Sequence, residues 1–127
     1  MSMIAPIDLT GKNILVVEDD DMNFIYLSQI FKITHGNITR ARHGKQALEL
    51  AGENKYDLIL MDIQLPDING NEVTYEIRKF DSKIPIIAQT ASRSPDETDE
   101  SLAAGCTDIL IKPFTIDGLS DMMRKYI

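Results

Sequence analysis

Ile14-Leu15-Val16-Val17-Glu18-Asp19-Asp20-Asp21 is the stretch whose reading decides the fold. Four consecutive apolar residues suit a parallel strand covered on both faces, because a half-exposed strand would alternate apolar with polar. Acids directly after such a strand stand at its carboxyl end, where open α/β sheets place their ligands. Clustered carboxylates there offer the hard oxygen donors that suit Mg²⁺, which takes one or two carboxylates together with water and phosphate oxygens. A solvated acidic loop capping the next helix would have the same text. The rest of the chain has to separate the two.

Working outward, apolar strand-like runs recur at Asn37–Ala41, Tyr56–Met61, Ile84–Ala88 and Thr107–Ile111, after the first at Ile14–Val17. Helical periodicity fills the intervals. Met22, Ile25, Tyr26, Ile30 and Ile33 give one apolar stripe; Ala47, Leu48 and Ala51 a second; Val73, Ile77 and Phe80 a third. Ile116, Leu119, Met122, Met123 and Tyr126 close the chain as a core-facing stripe. The fourth helix is the best punctuated, with Ser94 as N-cap, Pro95 at the first helical position, Glu97 two residues on and Gly105 at the carboxyl cap. Five strands alternating with five helices predict a doubly wound α/β sheet, since parallel strands need crossover connections.

Bulk properties narrow the function. At 127 residues the chain is one domain, with residues 1–11 read as an N-terminal tail or linker and 12–127 as the folded unit. A formal charge of −7 without a Lys/Arg cluster argues against direct nucleic-acid binding. The lone Cys106 excludes an internal disulfide and fits a reducing compartment, hence a cytoplasmic setting. No apolar run approaches a membrane span, so no membrane contact by this unit is expected.

The predicted carboxyl ends of the first, third, fourth and fifth strands carry Glu18/Asp19, Asp62, Thr90 and Lys112. Any one is unremarkable, because chains turn polar where strands end. Together, carboxylates for a cation and a hydroxyl with an ammonium for a phosphoryl group form a phosphoryl-transfer set.

These residues carry a resemblance to the receiver domain of two-component response regulators over about Lys12 to Ile127. The matching text is Val17-Glu18-Asp19-Asp20, Leu58-Ile59-Leu60-Met61-Asp62-Ile63-Gln64-Leu65-Pro66-Asp67, Gln89-Thr90-Ala91 and Lys112-Pro113-Phe114, at fitting spacings. The text around Asp62 resembles receivers fused to hybrid sensor kinases. The resemblance implies a flavodoxin-like sheet of order 2-1-3-4-5. It implies that Asp62 accepts a phosphoryl group from phosphohistidine on a histidine kinase or histidine phosphotransfer protein. Glu18, Asp19, Asp62 and the backbone carbonyl of Gln64 would hold Mg²⁺. Lys112, aimed inward by a cis bond to Pro113, would grip a phosphoryl oxygen, Thr90 would hydrogen-bond the phosphoryl group, and Ala91 would leave room for it. The chain would then be no enzyme beyond its own phosphorylation and dephosphorylation. It would be a stand-alone regulator or the cytoplasmic receiver of a membrane-bound kinase, with homodimerisation on phosphorylation left open.

Departures and rivals matter too. Ile109 stands where many receivers carry an aromatic switch residue, so the usual rotameric readout is not expected here. Asp20 reads as a helix N-terminal residue rather than a ligand. His35 and His43 fall near helix ends and Cys106 reads as packing. A Mg²⁺-dependent phosphohydrolase with Asp62 as nucleophile would want an acid two residues on, where Gln64 stands. A flavodoxin-like cofactor carrier would want a Ser/Thr/Gly-rich loop after the first strand, and neither that nor a P-loop is present. A phosphorylation-independent pseudo-receiver is the remaining alternative, opposed by the intact set Glu18, Asp19, Asp62, Thr90 and Lys112.

Overall fold

The computed structural model describes residues 7–127. Five strands, β1 (Asn13–Val17), β2 (Asn37–Ala41), β3 (Leu58–Asp62), β4 (Ile86–Thr90) and β5 (Asp108–Ile111), alternate with five helices. These are α1 (Asp21–Thr34), α2 (Gly44–Glu53), α3 (Gly70–Arg78), α4 (Pro95–Ala104) and α5 (Ile116–Tyr126). All strand pairs are parallel, in the order β2-β1-β3-β4-β5, as the resemblance implied.

Continuous apolar strands are explained by a core on each face of the sheet. Ile14, Val16, Leu58, Leu60, Ile87 and Leu110 pack with Leu27, Ile30 and Phe31 of α1 and Leu119 and Met123 of α5. The alternate residues Leu15, Val17, Ile59, Met61, Ile86 and Ala88 pack with Ala47, Val73 and Ile77 of α2 and α3. Strand side chains alternate between faces, so one run feeds both cores. Full burial of each such Leu or Ile contributes about 1.5–3 kcal/mol, which makes these central strands the rigid floor beneath the site.

Three strand boundaries fall differently from the sequence expectation. β3 and β4 start two residues later and run on through Asp62 and Thr90, and β5 starts at Asp108. At β4 the cause is Pro85, which has no N–H for the ladder and contributes only its carbonyl, to Ile59 N at 2.9 Å. Polarity misplaced the far ends, since Asp62 pairs in register with Gln89 and Thr90 with Ile111.

The α1 stripe is corrected. Leu27, Ile30, Phe31 and Thr34 are the buried residues, whereas Met22 is 74% exposed and Ile25, Tyr26 and Ile33 are also exposed. Apolar residues surround this helix, so several stripes shared the same period. Capping and rim contacts choose between them: Asp20 accepts from Met22 N, and the Tyr26 hydroxyl donates to the Phe114 carbonyl at 2.8 Å. Phe80, placed on the third stripe, lies beyond α3 and is exposed. On α5 the expectation holds, with Leu119 and Met123 buried and Ile116, Met122 and Tyr126 packed beside them.

Helix ends follow simple chemistry. Pro95 opens α4 and Gly105 closes it at φ 113°, but the Ser94 side chain makes no capping bond. His35 closes α1 in the left-handed region, and His43 Nδ1 accepts from Gln46 N as the α2 N-cap. Asp67, reaching over from the β3–α3 loop, accepts from Gly44 N and Lys45 N at 2.8 and 2.9 Å. Those bonds hold its carboxyl down at about 2. Cys106 is buried, and burial, followed by the charge of Asp108, pushes its thiol up to about 11, which suits packing rather than reactivity. Of the stretch read as a tail, Leu9 is buried in the core and its N–H donates to Thr34 O at 2.7 Å, while residues 1–6 lie outside the described residues.

Candidate functional site

The carboxyl ends of β1, β3, β4 and β5 open into a cleft of about 660 Å³ lined by Glu18, Asp19, Asp62, Gln64, Thr90, Ala91 and Lys112. The expected site residues therefore converge. Glu18 follows β1, fully buried, with its N–H on the Ala41 carbonyl and its own carbonyl receiving Arg40 Nε at 3.0 Å. Asp62 ends β3, is also buried, and its Oδ1 accepts from Gln64 N at 3.2 Å. Lys112 Nζ lies 3.4 Å from Glu18 Oε1 and 3.5 Å from Asp62 Oδ2. The Lys112–Pro113 peptide bond is cis, as the resemblance implied. Asp20 caps α1 and lies outside the carboxylate cluster.

Carboxylate oxygens of Glu18, Asp19 and Asp62 lie within 4.8 Å of one another. Burial pushes the Glu18 carboxyl up to about 7, the hydrogen bond and charge of Asp62 push the same way, and Lys112 opposes them. One ammonium does not balance three clustered acids. The donor set fits a hard divalent cation: all oxygen, two carboxylates fixed by burial and one, Asp19, open to solvent. Mg²⁺ meets that description, since it keeps several of its waters.

Thr90 lines the same cleft from the end of β4, the strand next to the one that ends at Asp62. Its Oγ1 accepts from Ser92 N at 3.0 Å, which leaves the hydroxyl proton free to donate. Ile109 shares a sheet face with Thr90, since it pairs with Ala88 in the register, and it packs half-buried against the α2–α3 core. No aromatic ring occupies that position.

Three contributors escaped the sequence reading. Gly70 donates to Ile63 O at 2.7 Å, and a Cβ there would overlap the Asp62 carbonyl, so only glycine lets α3 start against the Asp62 backbone. Asn69-Gly70 is a turn-type pair that could have flagged it. Asp67 ties the same loop to α2, with nothing but its place in the quoted motif to mark it. Gln89, on β4 beside Asp62, is wholly buried with both amide atoms unpartnered among the described residues; a polar residue directly after Ile86-Ile87-Ala88 was the signal.

Known proteins are similar to this chain in sequence and fold. The chain is 39% identical over 116 residues to transcription factor SKN7 of Candida albicans, covering 91% of the chain and 21% of that protein, so it spans about a fifth of that relative. The receiver domain of sensor histidine kinase PA1611 from Pseudomonas aeruginosa, solved with a magnesium ion in its active site cleft, superposes with a TM-score of 0.86 at 34% identity. That match covers 92% of this chain and 98% of the other. The receiver domain of Ssk1 from Saccharomyces cerevisiae, co-crystallised with the histidine phosphotransfer protein Ypd1, superposes at 0.84 with 30% identity, over 97% and 90% of the two chains. Carboxylates, lysine and hydroxyl at the strand ends of a 2-1-3-4-5 sheet therefore have a family: residues 14–124 match the response regulator receiver domain, and the chain belongs to that family of two-component signalling domains rather than to the enzymes.

Proposed function

We propose that the chain accepts a phosphoryl group from a phosphohistidine onto Asp62, in a Mg²⁺-dependent reaction, and that the acyl phosphate changes its affinity for partners. One observation carries this reading: a buried carboxylate at the floor of an open acidic cleft, with the Lys112 ammonium 3.5 Å from it. The donor is a histidine kinase or a histidine phosphotransfer protein, a choice supported by the Ypd1 complex of the related Ssk1 receiver. The working unit is residues 12–127, with the Leu9 segment packed onto it. No helix among the described residues is long and apolar enough to cross a membrane, and the setting proposed is cytoplasmic, alone or as part of a kinase.

In the step, an Asp62 carboxylate oxygen forms the O–P bond while the N–P bond of the donor breaks. Its electron pair stays on the imidazole nitrogen. When bound by Glu18, Asp19, Asp62 and the Gln64 carbonyl, Mg²⁺ offsets the charge of the carboxylates and of the phosphoryl oxygens. The Lys112 ammonium pairs with one phosphoryl oxygen. Asp62 gives up its charge to the mixed-anhydride linkage and the phosphoryl group brings about two, so the site gains about one negative charge. The free proton of the Thr90 hydroxyl answers that surplus. A few kcal/mol of differential contact at the β4–α4 loop, where Thr90 and Ser92 meet, suffices to shift a population.

Intact mass after incubation with acetyl phosphate tests this, with Mg²⁺, with excess chelator, and in Asp62→Asn. A Mg²⁺-dependent gain of one phosphoryl group, absent in the variant, is expected. No gain together with no Mg²⁺ binding would favour a phosphorylation-independent interaction module.

A further inference from the structure

Gln89 is fully buried, and neither Oε1 nor Nε2 has a hydrogen-bond partner among the described residues. Apolar side chains of similar size would fill the same space without that penalty, since an unpaired buried amide loses its water and gains nothing. The neighbours explain where a partner can come from. Gln89 registers with Asp62 across β3–β4 and with Leu110 across β4–β5. Laterally paired residues of parallel strands project to the same face, and strands stand about 4.8 Å apart, so the amide and the acceptor carboxylate are side by side. Gln89 also lines both the acidic cleft and an adjoining pocket of about 390 Å³ that Phe114 helps to line, and Lys112 is the cation that both spaces share with it.

Lys112 has three N–H donors, and its two recorded contacts, at 3.4 and 3.5 Å, go to Glu18 and Asp62. Both are carboxylates of the cluster that fits a divalent cation. Once a cation draws on those oxygens, their pull on the ammonium weakens. The Gln89 amide oxygen is a buried acceptor lining the same space that is no part of the acidic cluster.

We propose that Gln89 is a positioning residue for the phosphoacceptor site: its amide oxygen takes a Lys112 N–H when the acidic cluster is loaded with its cation, fixing where the ammonium stands for the incoming phosphoryl group. This rests on Asp62 being the acceptor. The amide acts through Lys112 and forms no bond to phosphorus.

The test uses the full chain with isotope-labelled lysine, Lys112→Arg identifying the Lys112 ammonium signal. Gln89→Met removes the amide at nearly constant volume, and Gln89→Leu serves as a second variant. In the wild type, Mg²⁺ alone moves the Lys112 ammonium signal and slows its proton exchange; in Gln89→Met that slowing is lost. Melting temperature stays equal or rises, the Mg²⁺ dissociation constant stays within about twofold, and the phosphorylation rate at saturating acetyl phosphate falls about tenfold. An inert filler would become more stable with no loss of rate. A Lys112 signal indifferent to Mg²⁺, an unchanged rate in Gln89→Met, or failure of both variants to fold would overturn the proposal. Absence of any phosphorylation in the wild type would count against Asp62 as acceptor, while the Lys112 signal, read with Mg²⁺ only, still decides the role of Gln89.

Discussion

Leu60 and Ile87 pair across β3 and β4, and two residues further along the same strands Asp62 and Gln89 pair on the same face. The lower pair is closed in by α1 and α5 and holds the sheet together. The upper pair carries a charge and an unsatisfied amide into a cleft. One backbone geometry serves both, because the strand period of two repeats the same outlook every second residue. The lower layer supplies stability, and the upper layer holds the residues of the proposed chemistry. The upper layer contains what a purely structural sequence would avoid: clustered carboxylates, and a glutamine amide without a partner among the described residues.

Breaking each layer separately should give opposite results. Asp62→Asn should remove all phosphoryl incorporation, seen by intact mass, and leave cooperative unfolding in place. Leu60→Ala should cost about 2–5 kcal/mol in denaturant unfolding, yet the folded fraction should still take up phosphate. Gly70→Ala joins the layers, since its methyl would meet the Asp62 carbonyl. It should cost about 1–3 kcal/mol and also slow phosphorylation, measured on the same preparation.

Titration sharpens the contrast. Glu18 holds its proton up to about 7 in the fold, above its ordinary range, because of burial and then Asp62. Its contribution to stability is therefore present below the ordinary carboxylate range and lost as pH rises through about 7. The metal-free chain should melt at lower temperature at about pH 8 than at about pH 5, and Mg²⁺ should raise the melting temperature more at the higher pH. Asp67 has the opposite sign. Its carboxyl is held at about 2, so its contribution is present above the ordinary range and lost as pH falls through about 2. Asp67→Asn should flatten the acid limb of the melting curve, the smallest of these effects.

What the sequence showed follows from the same two layers. The apolar strands, their alternation with helices and the convergence of Glu18, Asp19, Asp62, Thr90 and Lys112 were legible because each polar residue interrupts or ends an apolar run. The α1 face was not legible. Met22, Ile25 and Ile33 share a helical period with Ile30 as well as Leu27 and Phe31 do, and of the contacts that choose between them the Tyr26–Phe114 bond is tertiary. Gly70 and Asp67 act through backbone atoms of distant segments, which a residue pattern does not record. Gln89 was visible as text, but its meaning depends on register with Asp62.

The central claim is that the upper layer carries a phosphoryl group on Asp62 and nowhere else. Borohydride reduction of the acetyl-phosphate-treated protein converts an aspartyl phosphate to homoserine, and peptide mass mapping locates it. Homoserine at position 62 alone, formed with Mg²⁺ and absent with chelator, is the result this account predicts. Homoserine at Asp19, Asp20 or any other aspartate, with Asp62 unmodified, would contradict it.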